Sequence, residues 1–185
     1  MSAEIDAVRQ AIVTTIAQAL GSHVTVEAHG GRFDRAELAR YSKRAPAVLV
    51  AAMGMPRVED RPRARPMVQF AAFVMCRDAP GASRDTQALT LAEALVRLVP
   101  GNVWGQDNVQ RPEQLSAENL YSGEIDRLGI AMWAVSWRQI VNLSTQRDIG
   151  DLADFAIYHG THHVGEGPDT ESHLELPTGN EETSP

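Results

Sequence analysis

The chain has 185 residues, 24 acidic against 17 basic, with a formal charge of −7 and one cysteine. A single thiol excludes an internal disulfide framework or a CxxC metal or redox site, and no run approaches the ~20 apolar residues that span a bilayer. Nine of the acidic residues and none of the basic ones follow Arg147, so residues 1–147 are slightly basic and the negative charge belongs to the extension at 148–185. Residues 1–6 lack the basic and apolar regions of a secretory signal, which predicts a protein of cytosolic origin.

In chain order, Ile5, Val8, Ile12, Ile16 and Ala19 recur at spacings of three and four and predict an amphipathic helix over 3–20, capped by Ser2 and stopped by Gly21. Residues 23–28 alternate around Val24 and Val26 as a short strand, broken by Gly30-Gly31. A short helix follows at 34–42, with Leu38 and Tyr41 on one side. The continuous apolar runs 47–53 and 68–75 suit strands covered on both faces. Between them, residues 54–66 carry Pro56, Pro62 and Pro66 with Arg57, Arg61, Arg63 and Arg65. Proline at that density predicts an extended, solvated loop. After a second loop at 78–85, residues 86–99 form the strongest helix pattern, ending at Pro100-Gly101. Its apolar positions make two rows, Leu89, Ala92, Val96 and Val99 beside Leu91, Leu95 and Leu98. That stripe is wider than one sheet face needs, so Leu91 and Leu98 are candidates for a contact on the helix's other side.

Residues 128–142 alternate with apolar groups on both faces, Trp133, Val135 and Trp137 against Ile130, Met132 and Ala134, as an interior strand does. Residues 119–127, with Tyr121 and Ile125, are expected to pair with it through a turn. From Gly165 onward Pro, Gly, Ser, Thr and Glu dominate, a composition that cannot offset the entropy of ordering and predicts disorder. The expected architecture is α+β (α/β): a mixed, largely antiparallel sheet of about four to six strands flanked by helices over 1–147, then the acidic extension at 148–185.

The chemical motifs are absent. There is no GxxxxGK[ST], no GxGxxG after a strand, no HExxH and no GxSxG. No catalytic residue, metal or cofactor is therefore assigned. His159, His162 and His163 beside Asp154 and Glu166 are the best metal candidates, since histidines three apart can share a helical face. A solvated junction is the preferred reading; a metal-dependent hydrolase is the alternative. Arg57, Arg61, Arg63 and Arg65 suggest phosphate contact, but Glu59 and Asp60 dilute the loop to about +2 and it holds no aromatic platform. Salt bridges at home or across a subunit contact fit these arginines better. Cys76, in an apolar run, reads as a small core residue. Trp133 and Trp137 read as core, and Trp104 as either core or interface anchor. A third possibility is a monomeric adaptor whose acidic tail recruits a basic partner.

The order of these elements resembles a known family. The N-terminal helix, the Pro-rich arm between apolar strands and the Leu-rich helix lead into Asn102-Val-Trp-Gly105, Glu118-Asn-Leu-Tyr121 and Ala131-Met-Trp-Ala-Val-Ser-Trp137. Over residues 3–145 the chain is similar to the small proteins of Mu-like phages encoded just ahead of the tail sheath and tube genes, which resemble tail terminators. The acidic extension is not part of the shared pattern. The resemblance implies a non-enzymatic virion subunit in the tail or neck, assembled in the host cytoplasm. It also implies a six-fold ring that caps the tail tube, with possible contact to the sheath, docks to the head-side connector, and lets DNA pass without sequence-specific binding.

Overall fold

Four-residue spacing builds the first helix. Val8, Ile12 and Ile16 are fully buried, so one stripe of α1 (Glu4–Leu20) faces the sheet. The computed structural model describes residues 3–59 and 64–144, together with the backbone of strands at 157–162 and 170–175. Ser2 lies outside that set. The N-cap is Ala3, which offers no capping side chain, and Glu4 and Asp6 meet the positive end of the helix dipole instead. Glu4 also accepts hydrogen bonds from the backbone N–H and the hydroxyl of Ser144, at 3.1 and 2.7 Å, tying the first turn to the end of the domain.

β1 (Thr25–Ala28) lies parallel to β2 (Ala47–Glu59), with α2 (Arg35–Ser42) between them in sequence. Asp34 caps α2 by accepting the Glu37 N–H at 2.8 Å. β3 (Arg65–Arg77) returns antiparallel to β2, and α3 (Arg84–Leu98) begins at Ser83, whose hydroxyl accepts the Thr86 N–H. β4 (Glu113–Asn119), the single-turn α4 (Gly123–Arg127) and β5 (Ile130–Ile140) complete the domain. The sheet order is β1-β2-β3-β5-β4, with one parallel pair and three antiparallel ones. This is the α+β, mixed and largely antiparallel sheet that the sequence predicts.

Two apolar layers sandwich that sheet. On one face Val8, Ile12 and Ile16 of α1 and Ala88, Ala92 and Leu95 of α3 pack with Val48, Val74, Val135 and Trp137. On the other, Leu38 and Tyr41 of α2 and Ile125 of α4 pack with Leu49, Phe73, Met75 and Met132. β5 divides its side chains between the two layers as its alternation implies. Each fully buried large aliphatic contributes roughly 1.5–3 kcal/mol, which makes the α1 stripe a main holder of the first layer.

Two expectations are corrected. Residues 54–59 and 65–66 of the expected loop are strand: β2 continues to Glu59 and β3 starts at Arg65, pairing Arg57 with Met67, Val58 with Pro66 and Glu59 with Arg65. Pro56 is tolerated because β1 pairs with β2 only as far as Val50, leaving the strand's outer edge without ladder partners to lose. The strand paired to β5 is β4, earlier than 119–127; Ser122 caps the following residues into α4 by accepting the Ile125 N–H, and Gly129 at φ +67° turns the chain into β5.

The second unit, Gln146–Pro185, contributes an antiparallel pair, β6 (Ile157–His162) and β7 (Thr170–Glu175), with Ile157 opposite Glu175 and His162 opposite Thr170. The disorder expected from Gly165 otherwise falls on residues outside the described set.

A buried amide closes the first layer. Gln139 is 1% exposed, and its Oε1 accepts from the indole N–H of Trp104 at 2.7 Å and of Trp137 at 2.9 Å. Its Nε2 donates to the carbonyls of Asn102 at 3.1 Å and Gln110 at 2.8 Å. Every polar position of the amide is used. Gln139→Leu strands two indole donors and two carbonyls, each worth about 1–3 kcal/mol when orphaned in a core. Urea denaturation should show several kcal/mol lost, whereas Gln69→Leu, half-exposed on β3, stays within ~0.5 kcal/mol.

Candidate functional site

The exposed features gather at the two ends of the sheet. At one end the β2–β3 hairpin forms an arm whose β2 edge is open, while residues 141–143 run beside β3 as far as Ala64. Met53, Met55 and Val58 on it are 45, 53 and 56% exposed, unusual for large apolar side chains in succession. The register of β2 slips between Ala52 and Gly54 and again between Gly54 and Arg57, so the arm's edge strand is bulged. Arg57 reaches outward, with only Glu59 near it at 4.0 Å among the pairs seen. Arg65 does the opposite. Its guanidinium binds Glu59 at 3.2 Å and its Nε donates to Asn142 at 2.9 Å, so it pins the arm's base. Arg61 and Arg63 lie outside the described residues. Of the arginines singled out in the sequence, Arg57 is thus the one seen to face solvent.

Next to the arm, the second face of the sheet is only half covered. Ala134, Ser136, Arg138 and Ile140 on β5, and Met67 and Gln69 on β3, are all half-buried, while their alternating neighbours are buried. Helices α2 and α4 pack over the other half. A side-by-side pair of hydroxyls, Ser116 and Ser136 at 2.9 Å, crosses this open region in the solvent-exposed part of β4 and β5.

The remaining predicted contact residues are redistributed. Leu91 and Leu98 are half-buried and pack against the first layer with Val96, so the second apolar row of α3 belongs to the core. The stripe is wide because α3 shares that layer with α1. Leu89, 51% exposed, is the outward-facing leucine instead. Trp104 is 4% exposed and bound to Gln139, which makes it core and not an interface anchor. It adopts φ +59°, with its N–H donated to the Asn102 side chain at 2.8 Å, a local turn that seats the indole inward. The histidine-rich stretch pairs as strand β6, so the helical spacing that grouped His159 with His162 is not present there. His163, Asp154 and Glu166 lie outside the described residues. Among the described residues no cluster of three potential metal-binding side chains occurs, and no helix is long and apolar enough to cross a membrane.

The polar constellation that sequence reasoning missed surrounds His29. Its Nδ1 accepts the Gly31 N–H at 3.0 Å, which leaves the proton on Nε2 facing Glu37 at 3.0 Å. The ring stacks on Phe33 at 4.4 Å and meets the edge of Tyr41 at 5.5 Å. Both ring nitrogens are occupied and the group is 7% exposed, so it locks the turn between β1 and α2 and offers nothing to a substrate. A cleft of about 500 Å³ lies between α2 and α4 and presents Arg35, Arg127 and Glu124, with no nucleophile–base pair. A signal for the arm was available: the apolar run from Ala47 continues through Met53-Gly-Met55, past the point where a buried strand ends.

With this geometry in view, residues 4–141 match the family described as Bacteriophage Mu, Gp37. The chain belongs to that family. The match spans the five-stranded domain and stops before the acidic extension, as the resemblance in the sequence anticipated. A chain from a structure described as "Virion of native gene transfer agent (GTA) particle" is similar at 14% identity, with a TM-score of 0.45, covering 77% of this chain and 100% of that one. At that level the likeness carries no functional inference. No curated protein matches.

Two outcomes follow for the family member seen here. Cys76 is fully buried, and burial pushes its thiol up to about 11. The thiolate is then about one part in a thousand at pH 8, so iodoacetamide should leave the folded protein unlabelled and modify it only above the urea midpoint. For α3, Leu98→Glu should lower the thermal midpoint of the domain itself, because it places a carboxylate against packed apolar groups. Leu89→Glu should leave the midpoint nearly unchanged.

Proposed function

We propose that this Gp37-family protein is a virion structural subunit, a tail terminator that closes into a ring on the end of the tail tube. Its location is the tail or neck, and its partners are further copies of itself, the tube with its sheath, and the head-side connector. Six copies are the number the resemblance implies, and DNA passes through the ring without being read.

The observation that carries this reading is the combination of family and surface. A Gp37-family domain with no chemical motif in its sequence presents apolar side chains on the open β2 edge of the arm and leaves half a sheet face open. Large exposed apolar groups on a well-packed domain are the mark of a surface made to be covered. Ring closure needs a heterologous contact, in which two different patches of each subunit meet, and the arm supplies one patch that is clearly unlike the rest of the surface. The slightly basic body suits a subunit near passing DNA, where a strongly acidic lining would repel the duplex. The acidic extension fits outside the lumen, as a tether to a basic neighbour.

Native mass measurement of the purified chain, with negative-stain imaging, tests the proposal. Closed rings with a central channel are expected, alone or on added tail tubes. A chain that stays monomeric at every concentration, and also with tubes present, would falsify it.

A further inference from the structure

The geometry points to the second patch of the ring contact: the arm of one copy seats in the cleft at the opposite end of the next copy's sheet, beneath Tyr121. This rests on the ring reading above and names the surfaces that would make it.

The two ends differ in chemistry. The pairing of Met67 with Ile140 and of Arg77 with Ile130 sets the arm and the start of β5 at opposite ends of the sheet. The arm end offers Met53, Met55, Val58 and an outward Arg57. The far end holds a cleft of about 80 Å³ with an apolar wall from Tyr121, Ile125, Ile130 and Met132, and with Arg84, Asp85 and Asp126 at its rim. A cavity of roughly 150 Å³ holds a benzene ring, so this one takes a smaller group, such as a methionine tip or a valine. Tyr121 is 74% exposed, the most exposed of the large apolar side chains, and aromatic residues standing at a cleft are the commonest anchors of protein contacts.

Charge favours the same match. Asp126 is paired with Arg84 at 2.6 Å, but Asp85 on the cleft's rim has no ion-pair partner among the described residues. Arg57, held only loosely by Glu59, is the complementary cation on the arm. Two arms cannot satisfy one another in this way, because each carries the same sign. The contact is therefore head-to-tail, which is the kind that closes rings. A cleft filled by a tube or connector segment instead would be a different assembly.

Cysteine cross-linking tests it, since the native thiol is buried. Met55→Cys and Tyr121→Cys are prepared as separate variants, mixed in equal amounts and oxidised mildly. The expected result is disulfide dimers in the mixture and none from either variant alone, with the double variant giving a covalent ladder up to the ring. Asp85→Arg should lose assembly and Arg57→Asp should restore it in the same chain. Homodimers from Met55→Cys alone, or a link from it only to added tube protein, overturn the proposal. Rings that form with no mixed disulfide overturn the proposal and leave the ring reading standing. A chain that never assembles removes both.

Discussion

The side-chain amide of Gln139 is the point on which the first layer turns. It takes both indole protons of Trp104 and Trp137 and gives its own protons to the carbonyls of Asn102 and Gln110. The chain between α3 and β4 runs without regular structure over the end of the sheet, and three of these bonds fasten it to β5. In a low-dielectric interior a fully satisfied network of this kind specifies one arrangement, because any slip leaves several groups unpaired at once. Phe70 stacks near Trp137 at 6.0 Å and Trp104 lies 5.8 Å from it, so the aromatic packing and the polar network fix each other. The position of β4 depends on both.

Much of this was readable in the residues. The four-residue spacing of Val8, Ile12 and Ile16 and the two-faced alternation from Ile130 to Trp137 are direct consequences of helical and strand geometry, and both elements form as their patterns require. The arm was not readable in the same way. Proline counts against a strand on average, yet an outer edge has no hydrogen bond to forfeit, and where the edge begins depends on how short β1 is. Leu91 and Leu98 illustrate a second limit. A pattern reports how wide an apolar stripe is but not how many neighbours share it, and the presence of α1 in the same layer decides that they are core. Trp104 needed a positive φ to turn inward, a local conformation that composition does not announce.

The candidate contact surface was half legible. The charge division at Arg147 and the arginines of 57–65 are plain in the sequence, but the sequence does not say that Arg65 turns back to Glu59 and Asn142 while Arg57 faces out. Nor does it reveal that only half of the second sheet face is covered. That asymmetry follows from the shortness of α2 and α4, eight and five residues long, which cannot span strands of eleven to thirteen. Short helices over long strands leave part of a face open as a matter of length alone.

The two rails of the arm are built unequally. β3 runs in unbroken register beside β5 from Arg77 to Met67, whereas β2 slips twice around Gly54. A pull along the hairpin is therefore carried by β3 as shear across a long row of rungs, while β2 gives at its bulges. The hairpin is stiff along β3 and compliant along its open β2 edge. Its root is the middle strand of the sheet, so whatever grips the tip loads the interior of the subunit and not its rim.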